Sequence, residues 1–285
     1  MMYKKNENII KKIRSNFFQL IIFIVLIFVS LAPFFWGVIT SMKSKREIFS
    51  YPPKIIGFNA SIEHYKTIFK SGFLSNIQSS ILNSFGTIIL CLFVALIAAY
   101  GIHRYRFRGR KILFYMIIAG MPLSIGHAAM LIPNYIYMSK LGLIDHWYTL
   151  IIMYTALNIP MATWIMKGGI ENVPIEVEEA ASIDGAGRPY IIFNLIPNLC
   201  KPSITSAALF IFINTWNEFI FSSVMINSAR LRTVQSGIYS YLGYFGQEWG
   251  PLTAATTISM IPVLIAFSFL AKFLISGLTK GAVKG

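Results

Sequence analysis

An uncharged, apolar run from Phe17 to Met42 constrains this chain more than any other feature of its sequence. A helix that crosses a bilayer needs about 20 consecutive, mostly apolar residues, and this run is long enough to cross. Later stretches of the same character are Ser80–Ile102, Ile112–Tyr135, Tyr148–Met166, Ser203–Asn227 and Pro251–Leu274. The sequence therefore predicts an all-α, polytopic membrane protein with about six transmembrane helices.

The composition supports a membrane protein over a soluble one. Charged residues make up only 13% of the chain, whereas a soluble domain carries about a quarter. The net charge of +14 would suggest nucleic-acid binding in a soluble protein, but the basic residues lie mainly in short stretches beside apolar runs. We therefore expect a lipid bilayer and no nucleic acid as the partner of these charges.

The basic stretches also predict the orientation of the chain. Lys and Arg concentrate in the amino-terminal segment and in the stretch Arg104–Lys111, and such segments stay on the cytoplasmic side. We expect a multi-pass protein of the cell (plasma) membrane with both termini in the cytoplasm. The predicted organisation is a cytoplasmic basic tail (1–16), a first transmembrane helix (17–42), an external loop (43–76), a transmembrane domain (77–274) and a cytoplasmic tail (275–285).

The predicted cytoplasmic loop 167–202 is long and patterned, and long loops in compact proteins are usually functional. Pro174 suits the first position of a helix, and the acids at 176, 178 and 179 suit its first turns. Gly185 and Gly187 are expected to end it, so the sequence predicts a short helix over about 174–184. Small residues at 180–182 would let another protein approach its backbone, while Ile175 and Ile183 supply apolar contacts.

This loop carries a family resemblance. The string EEAASIDGAGRPY, followed by a proline and by Lys201-Pro202, resembles the EAA loop of ABC importer permeases, with Glu179 and Gly185 at the family's Glu and Gly positions. The resemblance implies that the helix docks into a cleft of a separate ATPase and transmits its closure. The residues it assigns to this coupling are Ile175, Glu178, Glu179, Ala180, Ala181, Asp184 and Gly185. Pro197 comes one position earlier than in the family, and Asn198 takes the usual proline place.

The rest of the chain resembles the carbohydrate branch of that family, in particular the smaller permease of maltose and multiple-sugar transporters. The strings INTWNEF at 213–219 and SGLTKGAVKG at the carboxyl terminus are similar to motifs of that branch. The resemblance implies a tail that inserts between ATPase subunits, through Gly281, Ala282, Val283, Lys284 and Gly285. It also implies a second homologous permease, a cytoplasmic ATPase dimer that uses ATP and Mg, and an extracytoplasmic sugar-binding protein.

Polar residues in the predicted fifth span are candidates for the transport path. Glu218 stands beside Asn214, Trp216 and Asn217, and a charge at membrane depth costs roughly 2.5–3.5 kcal/mol unless it faces protein or water. These side chains could bind sugar hydroxyls, or they could form a polar packing cluster. His127 in the third span is expected to be structural rather than a metal ligand.

The expected function is therefore inward transport of an oligosaccharide by alternating access, with no bound cofactor, no metal and no ATP site in this chain. No Gly-rich phosphate loop or catalytic arrangement of Ser, His and Asp is visible in the sequence. The alternatives are an ABC permease for another polar solute such as a glycerol phosphate, a secondary transporter, or a membrane enzyme. Glu218 alone would not supply ion coupling, and Asp184 alone would not supply an acidic catalytic site.

Overall fold

The computed structural model describes the backbone of residues 2–121, 127–243 and 246–282, and the side chains of 18–121, 130–243 and 248–269. The longer helices are α1 (Met2–Ser41), α4 (Phe73–Arg104), α5 (Arg110–Ala119), α6 (His127–Lys140), α7 (Trp147–Glu171), α11 (Lys201–Asn217) and α14 (Trp249–Ala282). The shorter ones are α2 (Lys45–Ile48), α3 (Glu63–Lys70), α8 (Ile175–Ile183), α9 (Arg188–Tyr190), α10 (Ile196–Leu199), α12 (Ile220–Met225) and α13 (Val234–Tyr239). A π-helix, Ile191–Leu195, joins α9 to α10, and β1 (Leu242–Gly243) pairs antiparallel with β2 (Gly246–Gln247).

The helical, membrane-spanning character of the chain is confirmed, although the described residues supply fewer spans than expected. Four of their helices are long and apolar enough to cross a membrane, namely Phe18–Ser41, Phe73–Arg104, Trp147–Glu171 and Trp249–Phe269. A fifth is obtained if Arg188–Leu199 and Lys201–Asn217, which meet at 84°, are taken as one bent span. The expected third span is divided between α5 and α6, and residues 122–126 lie outside the described part of the chain.

The expected fifth span, Ser203–Asn227, is wrong as a continuous helix. Helix α11 ends at Asn217, Glu218 has an extended backbone, and α12 starts again at Ile220. The break follows from Glu218 itself, because its carboxylate accepts hydrogen bonds from the first free N–H groups of α12.

The chain divides into two compact units, Met1–Ile68 with Tyr241–Ile258, and Phe69–Ser240 with Ser259–Gly285. The stretch expected as an external loop, 43–76, contains α2, α3 and the start of α4, and its residues up to Ile68 belong to the first unit. Ser44 and Glu47 form a capping box that starts α2, and Glu47 also accepts a hydrogen bond from the backbone of Asn59. Lys43 is buried, with its ammonium 5.0 Å from the centre of the Trp36 ring.

In the second unit α4, α7 and α11 pack against one another around a core of small and aliphatic residues. Close approach depends on glycine: a Cβ on Gly86 would lie 2.4 Å from Ile151, and one on Gly169 would lie 2.4 Å from the Ser203 hydroxyl. The helix α6 ends at Lys140, and Gly142 follows it with a positive φ of +67. The packed helices α4, α7 and α11 position the segment 172–200.

A carboxylate clamp joins the turn before α7 to the segment after α12. Asp145 accepts hydrogen bonds from the backbone N–H groups of Asn227 and Ser228, at 3.0 and 2.8 Å, and from the Ser228 hydroxyl. The hydrogen bonds from Ser228 and Asn227 hold the pKa of Asp145 below its ordinary value. The clamp therefore persists at neutral pH.

Candidate functional site

The short helix of the long loop is attached to the second unit by a buried ion pair. The Nε of Arg104, the last residue of α4, donates to Oε1 of Glu178 at 2.6 Å. The Glu178 side chain is 2% exposed and the Arg104 side chain 10% exposed. Removing one partner of a pair enclosed in this way strongly destabilises the folded protein, because the other charge stays buried without compensation.

Further hydrogen bonds complete this attachment. The hydroxyl of Tyr100, one turn before Arg104, donates to the second oxygen of Glu178 at 2.8 Å and accepts from Arg188 at 3.3 Å. Arg104 also donates to the carbonyl of Val173 at 2.7 Å, just past the end of α7. We call Tyr100, Arg104, Glu178 and Arg188 the anchor cluster. It connects α4, the end of α7 and both ends of the segment that contains α8.

Helix α8 is ended by a glycine in a left-handed conformation. Gly185 has φ +88 and its N–H donates to the carbonyl of Ser182, while the N–H of Ala186 donates to the carbonyl of Ala181. This pair of hydrogen bonds is the Schellman motif, and Gly185 ends the helix as expected. Gly187 is different from what was expected: its φ is −70 and it precedes α9 rather than ending α8.

The start of α8 is shifted slightly from the prediction. Pro174 is the N-cap residue with an extended backbone, and the helix begins at Ile175. The acids at 176 and 178 do lie in the first turn. Glu178, however, points into the protein, so that it anchors the helix rather than lying on its exposed face.

The opposite side of α8 is exposed. Ile175, Glu179 and Ile183 are spaced by four residues, so they form one stripe along the helix. Ile175 is 41% exposed and Ile183 is 87% exposed. Ala180 and Asp184 are exposed as well, whereas Ala181 packs against the core between α4, α7 and α11. The helix therefore has an anchored face and a free, partly apolar face.

Pro197, which comes one position earlier than in the family pattern, lies where the helix geometry is irregular. Pro197 lies in the first turn of α10, directly after the π-helix Ile191–Leu195. Proline has no N–H to donate to the helix, and a π-helical turn widens a helix locally. The chain then bends by 84° into α11, which has Pro202 in its first turn. The exit from the loop is thus a sequence of short helical turns.

Glu218 lies inside the second unit. Its side chain is 5% exposed, and its carboxylate accepts hydrogen bonds from the Tyr154 hydroxyl at 2.7 Å and from the N–H groups of Phe221 and Ser222 at 2.8 and 3.2 Å. The charge therefore lies at the amino-terminal end of α12, where the helix dipole favours an acid. All three of these hydrogen bonds come from groups of this same chain.

The other residues expected in the transport path separate into two groups. Trp216 is buried, and its indole N–H donates to the carbonyl of Ser259 at 3.1 Å. Asn214 and Asn217 are exposed and lie three residues apart on α11, so they share a face. The Asn214 amide donates to Asn158 at 3.2 Å, and the Asn217 amide donates to its own helix at the carbonyl of Ile213.

Two other expectations concern parts of the chain that the structure does not describe in full. The side chains of His127, Gly281 and Ala282 lie outside the described residues, as do Val283, Lys284 and Gly285 altogether. Among the side chains that are described, no three of His, Cys, Asp or Glu come together in a way that could hold a metal ion.

Sequence reasoning missed the anchor cluster. Arg104 was counted with the basic loop, but it belongs to α4 and its guanidinium is directed into the protein. Tyr100 and Arg104 are four residues apart, which is the only local signal that they share a helix face. Nothing in a single sequence pairs them with Glu178, which lies 74 residues beyond Arg104.

Comparison with known proteins places this geometry in context. Residues 91–280 match the family described as the binding-protein-dependent transport system inner membrane component. The maltodextrin transport system permease protein of Bacillus subtilis is 31% identical, over 79% of this chain and 81% of its own length. The diacetylchitobiose uptake system permease protein of Streptomyces coelicolor is 29% identical, over 96% and 98%. A crystal structure of a bacterial ABC transporter involved in the import of alginate is similar in fold, with a TM-score of 0.76, 20% identity, and coverage of 89% of this chain and 94% of that one.

Proposed function

The chain belongs to the family of binding-protein-dependent transport system inner membrane components, and we propose that it is the permease subunit through which an ATP-driven importer moves an oligosaccharide into the cytoplasm. The observation that carries the mechanism is the two-sided helix α8. Its inner side is held by the Arg104–Glu178 pair, and its outer side presents Ile175, Glu179 and Ile183. The oligosaccharide as cargo is supported by the maltodextrin and diacetylchitobiose permeases among the relatives.

Helix α8 is the proposed coupling helix. Exposed isoleucines at 175 and 183 with a carboxylate between them suit a cleft on a separate protein. The small, exposed Ala180 allows the two backbones to approach, whereas Ala181 faces the core. A cytoplasmic ATPase dimer, which binds ATP and Mg, is the proposed partner for this surface, and this chain supplies no ATP site of its own.

The anchor cluster explains how movement of α8 would reach the membrane. A push on α8 acts on Glu178, and the buried pair transmits it to Arg104 at the end of α4. Arg104 also binds the Val173 carbonyl, so the end of α7 moves with it. Two long apolar helices are therefore coupled to one docking surface, as alternating access requires.

The proposed topology has six spans, with both termini and the segment 167–202 in the cytoplasm. The described helices account for four spans, or five with the bent pair, and the stretch 110–140 supplies the remaining one. We assign Asn214 and Asn217 to the face that meets the cargo or the second permease, because they are the exposed members of their motif. The carboxyl-terminal residues 281–285 are proposed to contact the ATPase, and an extracytoplasmic binding protein is proposed to deliver the cargo.

Uptake by the source cells tests this function directly. Cells that lack this chain should lose uptake of at least one radiolabelled oligosaccharide from a panel of malto- and chito-oligosaccharides, and re-expression should restore it. A glycerol phosphate included in the panel distinguishes the other polar solute class. Unchanged uptake of all the oligosaccharides, together with loss of glycerol phosphate uptake, would replace the sugar assignment and leave the permease assignment intact.

A further inference from the structure

An apolar groove lies where the carboxyl-terminal end of α4 meets α5. Ile97, Gly101, Leu113 and Ile117 line it, and its volume is about 370 Å³. The rings of Tyr105 and Phe107, both about half exposed, belong to the same lining. An apolar groove of this volume can accept part of a hydrocarbon chain.

A cationic hollow adjoins this groove. Its volume is about 690 Å³, its lining includes Arg106, Arg108, Arg110 and Lys111, and it shares Phe107 with the groove. The lining contains no acidic residue. The nearby Glu171 is paired with Lys167 and lies 3.8 Å from His103, and among the described residues it forms no ion pair with these cations.

The four cations are not equally available to a ligand. Arg110 donates to the carbonyl of His103 at 3.4 Å and is half-buried. Arg106, Arg108 and Lys111 are exposed, and among the described residues none of them has a carboxylate within ion-pair distance. Three basic side chains around one hollow suit a phosphate group, because guanidinium and ammonium groups bind phosphate oxygens well.

Gly101 keeps the groove open. A Cβ at this position would meet no atom within 4 Å, so the space beside α4 is empty rather than filled by a neighbour. The backbone there is ordinary helix, and larger side chains are sterically allowed. A leucine at this position would occupy the groove without altering any charge.

We propose that the groove and the hollow together form a binding site for one anionic glycerophospholipid, with an acyl chain along Gly101 and the phosphate among Arg106, Arg108 and Lys111. The site lies at the end of a long apolar helix, which is the level at which lipid headgroups meet a membrane protein. Basic side chains near a membrane surface attract anionic lipid. A soluble phosphate would leave the groove empty, and an acidic protein surface would place no apolar group in it. The charge of the hollow and the shape of the groove together favour the lipid.

Lipid binding to the full-length chain in detergent tests this site. Phosphatidylglycerol and phosphatidylcholine with identical acyl chains are titrated, and bound lipid is counted by native mass spectrometry. The wild-type chain should prefer phosphatidylglycerol. Gly101→Leu, and separately the double variant Arg108→Gln with Lys111→Gln, should each weaken phosphatidylglycerol binding at least about fivefold.

A matched control and a competitor make the outcome decisive. The double variant Lys70→Gln with Lys140→Gln removes the same charge from exposed positions elsewhere and should bind as wild type does. Glycerol phosphate at millimolar concentration should not displace the lipid. Equal binding of both lipids to the wild type, wild-type affinity in Gly101→Leu, or displacement by glycerol phosphate would each overturn the site. If added partner ATPase excluded the lipid, the surface would be a protein interface instead.

Discussion

The guanidinium of Arg104 lies 2.6 Å from the carboxylate of Glu178, a residue 74 positions further along the chain. One partner ends a membrane-spanning helix, and the other belongs to the short helix that is proposed to meet the ATPase. Because both side chains are almost completely enclosed, the pair is not a surface salt bridge, and it fixes the position of that helix. In the proposed mechanism, this link converts movement of α8 into movement of α4.

Removing one member of this pair should both destabilise and uncouple the protein. In Glu178→Gln the buried Arg104 loses its compensating charge, which costs about 3–5 kcal/mol in comparable sites. We expect a lower Tm in detergent and reduced sugar-stimulated ATP hydrolysis in the reconstituted importer. Glu176→Gln, an exposed change on the same helix, is the control and should behave as wild type. A double variant, Arg104→Gln with Glu178→Gln, should lose less stability than the sum of the single variants, and simple additivity would speak against a direct pair.

Changing the exposed stripe should uncouple transport without destabilising the chain. Glu179 is exposed, so Glu179→Lys leaves the core intact but reverses the charge on the docking surface. We expect normal membrane insertion, an unchanged Tm, and either weak ATPase binding or ATP hydrolysis without sugar uptake in vesicles that contain all components. Glu176→Lys makes the same charge change beside the stripe and should retain coupling. Wild-type coupling in Glu179→Lys would remove α8 as the docking surface.

The left-handed turn at Gly185 should tolerate valine poorly. Its φ of +88 is unfavourable for any side chain with a Cβ, and a strained residue of this kind costs about 1–3 kcal/mol. No atom lies within 4 Å of the position a Cβ would take, so the cost is conformational rather than a clash. We expect Gly185→Val to insert into the membrane and to lose coupling, while Gly187→Val, at φ −70, should be much milder. Equal effects at the two glycines would show that backbone strain is not the cause.

Glu218 should contribute to stability more than to the handling of sugar. Glu218→Ala removes the acceptor for two N–H groups of α12 and for the Tyr154 hydroxyl, and each buried group left without a partner costs about 1–3 kcal/mol. We expect a lower Tm in this variant. Asn217→Ala, on the exposed face of α11, should instead lower uptake at unchanged Tm. The reverse pattern would return Glu218 to the transport path.

The proposed topology is tested by labelling single cysteines in intact cells. Cys91 and Cys200 are buried, so the background labelling is expected to be low. Arg108→Cys should react with a membrane-impermeant maleimide only after the cells are opened, whereas Lys140→Cys should react from outside. Labelling of Arg108→Cys in intact cells would contradict the cytoplasmic assignment of this loop.

The expected helix of the long loop shows how far local rules reach. Pro174, the acids that follow it and Gly185 predict a helix within one residue of the observed Ile175–Ile183, because caps, the helix dipole and a left-handed glycine are local effects. The family resemblance placed Glu178 among the coupling residues. Its burial could not be predicted locally, since it depends on Arg104 and Tyr100 in a distant helix.

The predicted fifth span failed for a similar reason. Hydropathy averaged over Ser203–Asn227 conceals one acid, and a window of apolar residues does not record where the helix breaks. The break at Glu218 depends on the Tyr154 hydroxyl from another helix, which keeps the buried carboxylate satisfied. Trp216 and Asn217 are neighbours in sequence, yet one is buried and the other is exposed, because their directions on the helix differ by about 100°.

Composition, local backbone rules and strings of adjacent residues are enough to predict that the chain is a membrane protein, that its long loop contains a short helix within one residue of α8, and which family it resembles. The tertiary structure was needed to show which face of α8 is free, that Arg104 and Glu178 form its anchor, that Glu218 caps a helix inside the protein, and that an apolar groove meets a cationic hollow beside Gly101. Each of these depends on the packing of residues far apart in the chain, and the energy of a buried charge or an open groove is set by neighbours that a single sequence does not identify.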